Sequence, residues 1–108
     1  MKKYSLNDFT KGWVVGDFSP SLHKNPHVEV SVKKFKAGDV EKSHMQKIST
    51  EITIVVTGTI RLGNNYFLQN DVAEIPPLEF ADFEAITDCD LVCIKFPSIA
   101  SDKVEEET

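Results

Sequence analysis

The chain is 108 residues long, 41% hydrophobic and 27% charged, with a formal net charge of −5. That length holds one domain around one core, and the balance excludes a wholly disordered chain. No apolar run approaches the roughly 20 residues of a membrane span, and no basic stripe is interleaved with aromatics, so neither a membrane nor a nucleic acid is expected as a partner.

The first residues, Met1-Lys2-Lys3-Tyr4, run into Ser5, Asn7 and Asp8 without a long apolar stretch, so a cytoplasmic protein is expected. Trp13-Val14-Val15-Gly16 suggests a short strand, and Ser19-Pro20-Ser21 with Asn25-Pro26 suggests a surface loop. Residues 1–26 therefore read as an N-terminal arm and loop ahead of the main domain, 27–100. From His27 to Phe35, Val28, Val30 and Val32 alternate with Glu29, Ser31 and Lys33, the pattern of a half-buried strand. Ala37-Gly38-Asp39 supplies a turn.

Thr50 to Thr59 is β-branched almost throughout, which favours a strand covered on both faces and disfavours a helix. Ile60-Arg61-Leu62 and Tyr66-Phe67-Leu68 flank Gly63-Asn64-Asn65, a hairpin signal. A turn at Asn70-Asp71 precedes a strand from Val72 to Ile75, which Pro76-Pro77 stops. Phe80 to Ile86 and Leu91 to Phe96 are the last predicted strands. Residues 101–108, rich in Asp and Glu, read as a flexible acidic tail without a role in the fold. Seven or eight short strands with no sustained helical period predict an all-β sandwich or closed barrel.

Cys89 and Cys93 lie about 13 Å apart along one strand, too far for a disulfide, and read as buried thiols. Lysines gather between Lys33 and Lys47, and acids between Asp71 and Asp90. Such segregation can steer an anionic ligand or help two subunits meet. Small sandwiches leave edges and apolar faces to cover, so a homodimer is expected, through the 27–35 strand or the segment around Trp13.

One spacing pattern carries chemistry. Gly38 is followed by five residues and His44-Met45-Gln46, then four residues and Glu51, then six and Gly58. This resembles the first motif of the cupins, with Gln46 where the family has a second histidine. The second cupin motif, aligned on Pro76, places Asn70 and Leu78 at its glycines, Ala81 at its histidine and Ala85 at its asparagine. The resemblance implies a double-stranded β-helix, a jelly-roll-like barrel, and a divalent metal ion held by three histidines and a glutamate. By position those ligands are His44, Gln46, Glu51 and Ala81. An amide oxygen is a weak ligand and a methyl group is none. Glu79, two residues before Ala81, is the expected substitute, and Asp82 becomes one only where a bulge re-aims it.

The residues also permit chemistry without a metal. His44 and Gln46 share one face of a strand, and the next strand can return Glu51 to them. Glu51 leads a nearly continuous apolar run, where a carboxylate is costly unless it is paired. His44 and Glu51 as an acid–base pair would suit isomerisation or epimerisation of a carbonyl-bearing small molecule, and some small cupins isomerise or epimerise nucleotide-linked sugars. Gln46, Tyr66, Glu79, Phe83 and Lys95 are the expected ligand contacts; the alternation does not fix the facing of Lys95 or Lys33, each of which either enters the barrel mouth to hold an anionic group or lies on a solvated edge. A metal-dependent oxygenase or related oxidoreductase, and a noncatalytic binding or structural cupin, are the alternatives.

Overall fold

The computed structural model describes residues 1 to 107. Among them the chain forms two short 3₁₀ turns, Leu6–Asp8 and Thr10–Gly12, and eleven strands. The strands are β1 (Trp13–Gly16), β2 (His23–Lys24), β3 (Glu29–Phe35), β4 (Val40–Gln46), β5 (Thr50–Thr57) and β6 (Ile60–Leu62). They continue as β7 (Asn65–Phe67), β8 (Val72–Ile75), β9 (Ala81–Ala85), β10 (Cys89–Phe96) and β11 (Lys103–Glu105). No helix among the described residues is long and apolar enough to cross a membrane.

Two sheets face each other. One runs β2-β1-β3-β10-β5-β8, the other β11-β4-β9-β6-β7. Apart from the parallel β1–β2 contact every pairing is antiparallel. Strands adjacent in sequence repeatedly switch sheets, as β3 to β4 and β4 to β5 do, so the chain winds around a shared interior.

The apolar core fills one end of that interior. Val55, Ile60, Phe83, Ala85, Cys89 and Leu91 are buried there, with Phe35, Leu62 and Phe67 packed against them. Gly58 ends β5 with a positive φ of 89°, and a side-chain Cβ at this position would collide with the carbonyl oxygen of Asp88. Glycine is the residue that allows the chain to leave β5 so close to the 87–88 turn.

In three places the structure departs from the sequence reading. The alternation of 27–35 is genuine, but its polar parity faces inward: Ser31 is fully buried and Lys33 and Phe35 line the interior. Val30 and Val32 lie on the outer face, opposite Ile94 and Val92 of β10, which in turn oppose Ile52 and Ile54 of β5. An apolar parity marks the core only when the polar parity faces solvent, and here the polar parity lines the interior cavity.

The N-terminal arm is also part of the architecture. Trp13 pairs with Ser31 and Val15 with Val30, so the main domain extends back to β1 rather than beginning at residue 27.

The expected acidic tail is likewise structural as far as it is described; Thr108 lies outside the described residues. β11 pairs with β4, with Val104 opposite Met45. Asp102 is buried, and its carboxylate accepts the backbone N–H groups of Ile48 (3.1 Å) and Ser49 (2.9 Å). Its carbonyl accepts the Lys47 N–H at 3.0 Å. Burial alone would raise the Asp102 carboxyl, but these donors outweigh it and hold the group below the usual carboxylate range. The 47–49 turn has no backbone partners of its own for these donors, and the acid supplies them.

Candidate functional site

The end of the barrel opposite the apolar core is polar. Residues facing inward on the six-stranded sheet form cross-strand rows set by the register. Trp13, Ser31, Cys93, Thr53 and Ala73 make one row, and Glu29, Lys95, Glu51 and Ile75 the next. The five-stranded sheet contributes His44 and Gln46 from β4, with Ala81 directly opposite His44. These walls enclose a cavity of about 270 Å³.

His44, Gln46, Glu51, Glu79, Phe83 and Lys95, all expected site residues, line this one cavity. A bulge in β4 between Glu41 and His44 brings both of those side chains to the interior. Tyr66 does not join them. It sits on β7 at the edge of its sheet, opposite Arg61, and 61% of its surface is exposed. The hairpin that placed it also turned it outward, so its expected role as a ligand contact is not supported by its position. Phe83 forms the floor of the cavity, its ring 4.7 Å from that of Phe35, and belongs equally to the core.

His44 and Glu51, the expected acid–base groups, are held by neighbours. His44 Nδ1 lies 2.9 Å from the Lys42 carbonyl oxygen. A carbonyl can only accept, so Nδ1 carries the proton and Nε2 is the basic nitrogen of the neutral ring. Thr53 Oγ1 donates to Glu51 Oε2 at 2.9 Å and lies 3.8 Å from Cys93 Sγ. With the Thr53 proton committed to Glu51, the thiol is the donor to Thr53, and the relay fixes one carboxylate oxygen while leaving the other free. Burial, and after it the Glu51 carboxylate, push the Cys93 thiol up to about 11, so it remains protonated in this relay.

Among the lining residues that escaped the sequence reading are Trp13, Thr53, Cys93 and Glu41. Thr53 and Cys93 were legible by parity with Glu51 and Lys95. Trp13 was not, because nothing local tells which face of a four-residue strand is inward.

A divalent ion needs several strong ligands converging. Among the described residues no group of three or more His, Cys, Asp or Glu comes together to hold one. Gln46 offers an amide, Ala81 a methyl group, and Glu79, expected to complete the set, comes from the exposed link 76–80 without doing so. Asp82 is directed elsewhere: Arg61 binds it in a two-pronged contact at 3.0 and 3.2 Å and holds its carboxyl below the usual range. Lys33 and Lys95 bring positive charge into the same cavity. The residues present do not fit a tightly held divalent cation.

Two facing sheets wound antiparallel around an interior with a ligand-sized cavity at one end define a double-stranded β-helix, the fold of the cupins. The chain is similar over 99% of its length to 93% of a conserved protein with a double-stranded β-helix domain from Klebsiella pneumoniae, with a TM-score of 0.76 at 15% identity. It is similar over 70% of its length to 74% of KdgF from Halomonas sp., with a TM-score of 0.64 at 20% identity. A sugar phosphate isomerase of the cupin superfamily from Silicibacter pomeroyi matches 65% of this chain with 50% of its own, with a TM-score of 0.59 at 16% identity. No protein-family model matches the sequence, and no curated protein is significantly similar to it.

Proposed function

We propose that the protein binds a small polar molecule in the barrel cavity and isomerises or epimerises it, the substrate being a carbonyl-bearing sugar derivative. The observation that carries this reading is that a basic imidazole nitrogen of His44 and the free oxygen of Glu51 belong to one cavity on facing sheets. One group removes a proton from the carbon beside a carbonyl while the other supplies a proton to the oxygen or to the opposite face of that carbon, which is what isomerisation and epimerisation require. A volume of about 270 Å³ falls just under the roughly 300–1,000 Å³ of drug-sized pockets, which suits one sugar unit; a nucleotide attached to it would extend outside. The sugar phosphate isomerase sharing this fold supports the direction.

The test is incubation with aldose and ketose phosphates and nucleotide sugars in D₂O, following proton NMR for exchange at the carbon next to the carbonyl. One of them should exchange, and Glu51→Gln and His44→Gln should each slow that exchange by about 100-fold or more. Exchange that survives both substitutions would overturn the assignment.

A homodimer is proposed alongside. Val30, Ile94 and Ile52 form one aliphatic row on the outer face of the six-stranded sheet, and Val32, Val92, Ile54 and Val72 form a second. Two such rows side by side suit a self-complementary contact with a second copy. Light scattering should give twice the chain mass, reduced to the chain mass in Val32→Glu; a wild-type monomer at high concentration would refute it.

A further inference from the structure

We infer that Lys33 and Lys95 form an anion seat on the Trp13 side of the cavity, which takes the carboxylate or phosphate group of the ligand. The inference rests on the proposed reading of the cavity and names the class of molecule that enters it: a small sugar derivative carrying a negative charge.

Lys33 comes from β3 and Lys95 from β10, two strands paired throughout their length. Both side chains enter the cavity rather than turning to solvent. Their ammonium groups lie 4.6 Å and 5.1 Å from the centre of one indole ring, that of Trp13. Lysine stems ordinarily carry their charge outward to water. Here two like charges are brought to the same aromatic ring, whose attraction is shared while their repulsion is not removed.

Among the described residues no ion pair neutralises them at close range. Among the described residues every ion pair involves other groups, and neither ammonium has a carboxylate within 4.0 Å. Lys33 donates one hydrogen bond, to the carbonyl of Lys11 at 3.1 Å. Burial, first of all, pulls the Lys33 ammonium below the ordinary lysine range; Cys93 and Glu41 oppose that, while Lys95 and Lys11 add to it. Glu41 therefore contributes some negative charge, but burial outweighs it and no carboxylate pairs with the ammonium directly.

A second observation points the same way. Gln46 is 95% buried (5% exposed), it lines the cavity, and its Nε2 has no hydrogen-bond partner. A buried donor left unmade is expensive unless a ligand or water completes it. Donors therefore stand unmade in the cavity: ammonium N–H from Lys33 and Lys95, and amide N–H from Gln46. Their complement is a group made of acceptors and bearing negative charge, and carboxylate and phosphate both answer to that description.

Trp13 is the chain's single tryptophan, so its fluorescence reports directly on the seat. The experiment titrates the protein at fixed ionic strength with D-glucose 6-phosphate, with D-gluconate and with neutral D-glucose. At least one of the two anions should give a saturable change that glucose does not, and the arm that responds tells phosphate from carboxylate. Lys33→Met and Lys95→Met should each weaken that binding by about tenfold or more, as losing a hydrogen bond to a charged group does. Lys95→Arg keeps the charge and should retain most of the affinity, which separates loss of charge from loss of fold. No response to either anion, equal binding of glucose, or undiminished binding by both methionine variants would overturn the inference. Anion binding without proton exchange would leave the seat standing and remove the acid–base chemistry, so the two failures are distinct.

Discussion

Along β5 the inward side chains run Glu51, Thr53, Val55, and along its neighbour β10 they run Lys95, Cys93, Leu91. Within three inward positions each strand passes from charged to fully apolar, so the barrel has a dry end and a polar end made from the same strands. At the dry end Val55 and Leu91 are buried against Ile60 and Phe83. At the polar end carboxylate, hydroxyl, thiol and ammonium surround a cavity. Continuous strands let one end be rigid because of what is packed at the other. Stability and chemistry are thus separated along the barrel, and side chains of the polar end can be exposed to a ligand without loosening the core.

The largest effect should follow from breaking the dry end. Leu91 is 2% exposed, and Leu91→Ala should cost about 3 kcal/mol in urea unfolding, while the anion titration of the folded protein is unchanged. The reciprocal substitution at the polar end, Glu51→Leu, should abolish exchange yet leave stability equal or higher, because it removes a carboxylate from a partly apolar strand. A cost below about 1 kcal/mol for Leu91→Ala, or a large one for Glu51→Leu, would erase the distinction between the ends.

Cys93 lies at the boundary and should give the next largest effect. In the unfolded chain its thiol ionises near the ordinary value of 9.0, whereas in the fold burial and Glu51 push it up to about 11. The folded state therefore holds the proton more tightly. This contribution is intact below pH 9 and is lost as pH rises toward 11, reaching about 2 kcal/mol. The comparison is with Cys93→Ala, in which Cys89 and the lysines still titrate; the difference between the two proteins should open over that pH window. Parallel stability curves would place Cys93 in contact with solvent and move the polar boundary deeper.

The architecture was legible in the sequence because its turns are chemical. Gly38 and Gly58 stand where the motif requires them, and both adopt positive φ, 92° and 89°. The spacing of His44, Gln46 and Glu51 follows from strand parity and one turn, so their convergence was legible too. What escaped reading depends on contacts distant in sequence. Asp102 is an acid in an acid-rich tail until the unpaired N–H groups of Ile48 and Ser49 are known. Lys33 looks like the solvent face of an alternating strand until the valines of the other parity are seen to share an outer face with Ile94 and Ile52. Trp13 acquires its meaning only from two lysines contributed by β3 and β10.

The smallest expected effect concerns strain, which also sits at the polar end. Asn70 and Leu78 occupy the two glycine positions of the second motif, and both keep the left-handed backbone, with φ of 75° and 71°. Asparagine tolerates that conformation, whereas for leucine it costs about 1–2 kcal/mol. Leu78 is 67% exposed, so its side chain repays little of this by packing. Its N–H donates to the Gln46 carbonyl at 2.8 Å and ties the 76–80 link to the strand that carries the unpartnered amide. Leu78→Gly should relieve the strain and keep that bond, offset in part by the greater freedom of glycine in the unfolded chain, for a net gain of about 0.5 kcal/mol. A thermal midpoint raised by about 2–4 °C is the corresponding reading. A lowered midpoint would mean that the exposed leucine is covered by something in solution, and a second copy of the chain or a bound ligand would then have to reach the polar end as well as the outer sheet.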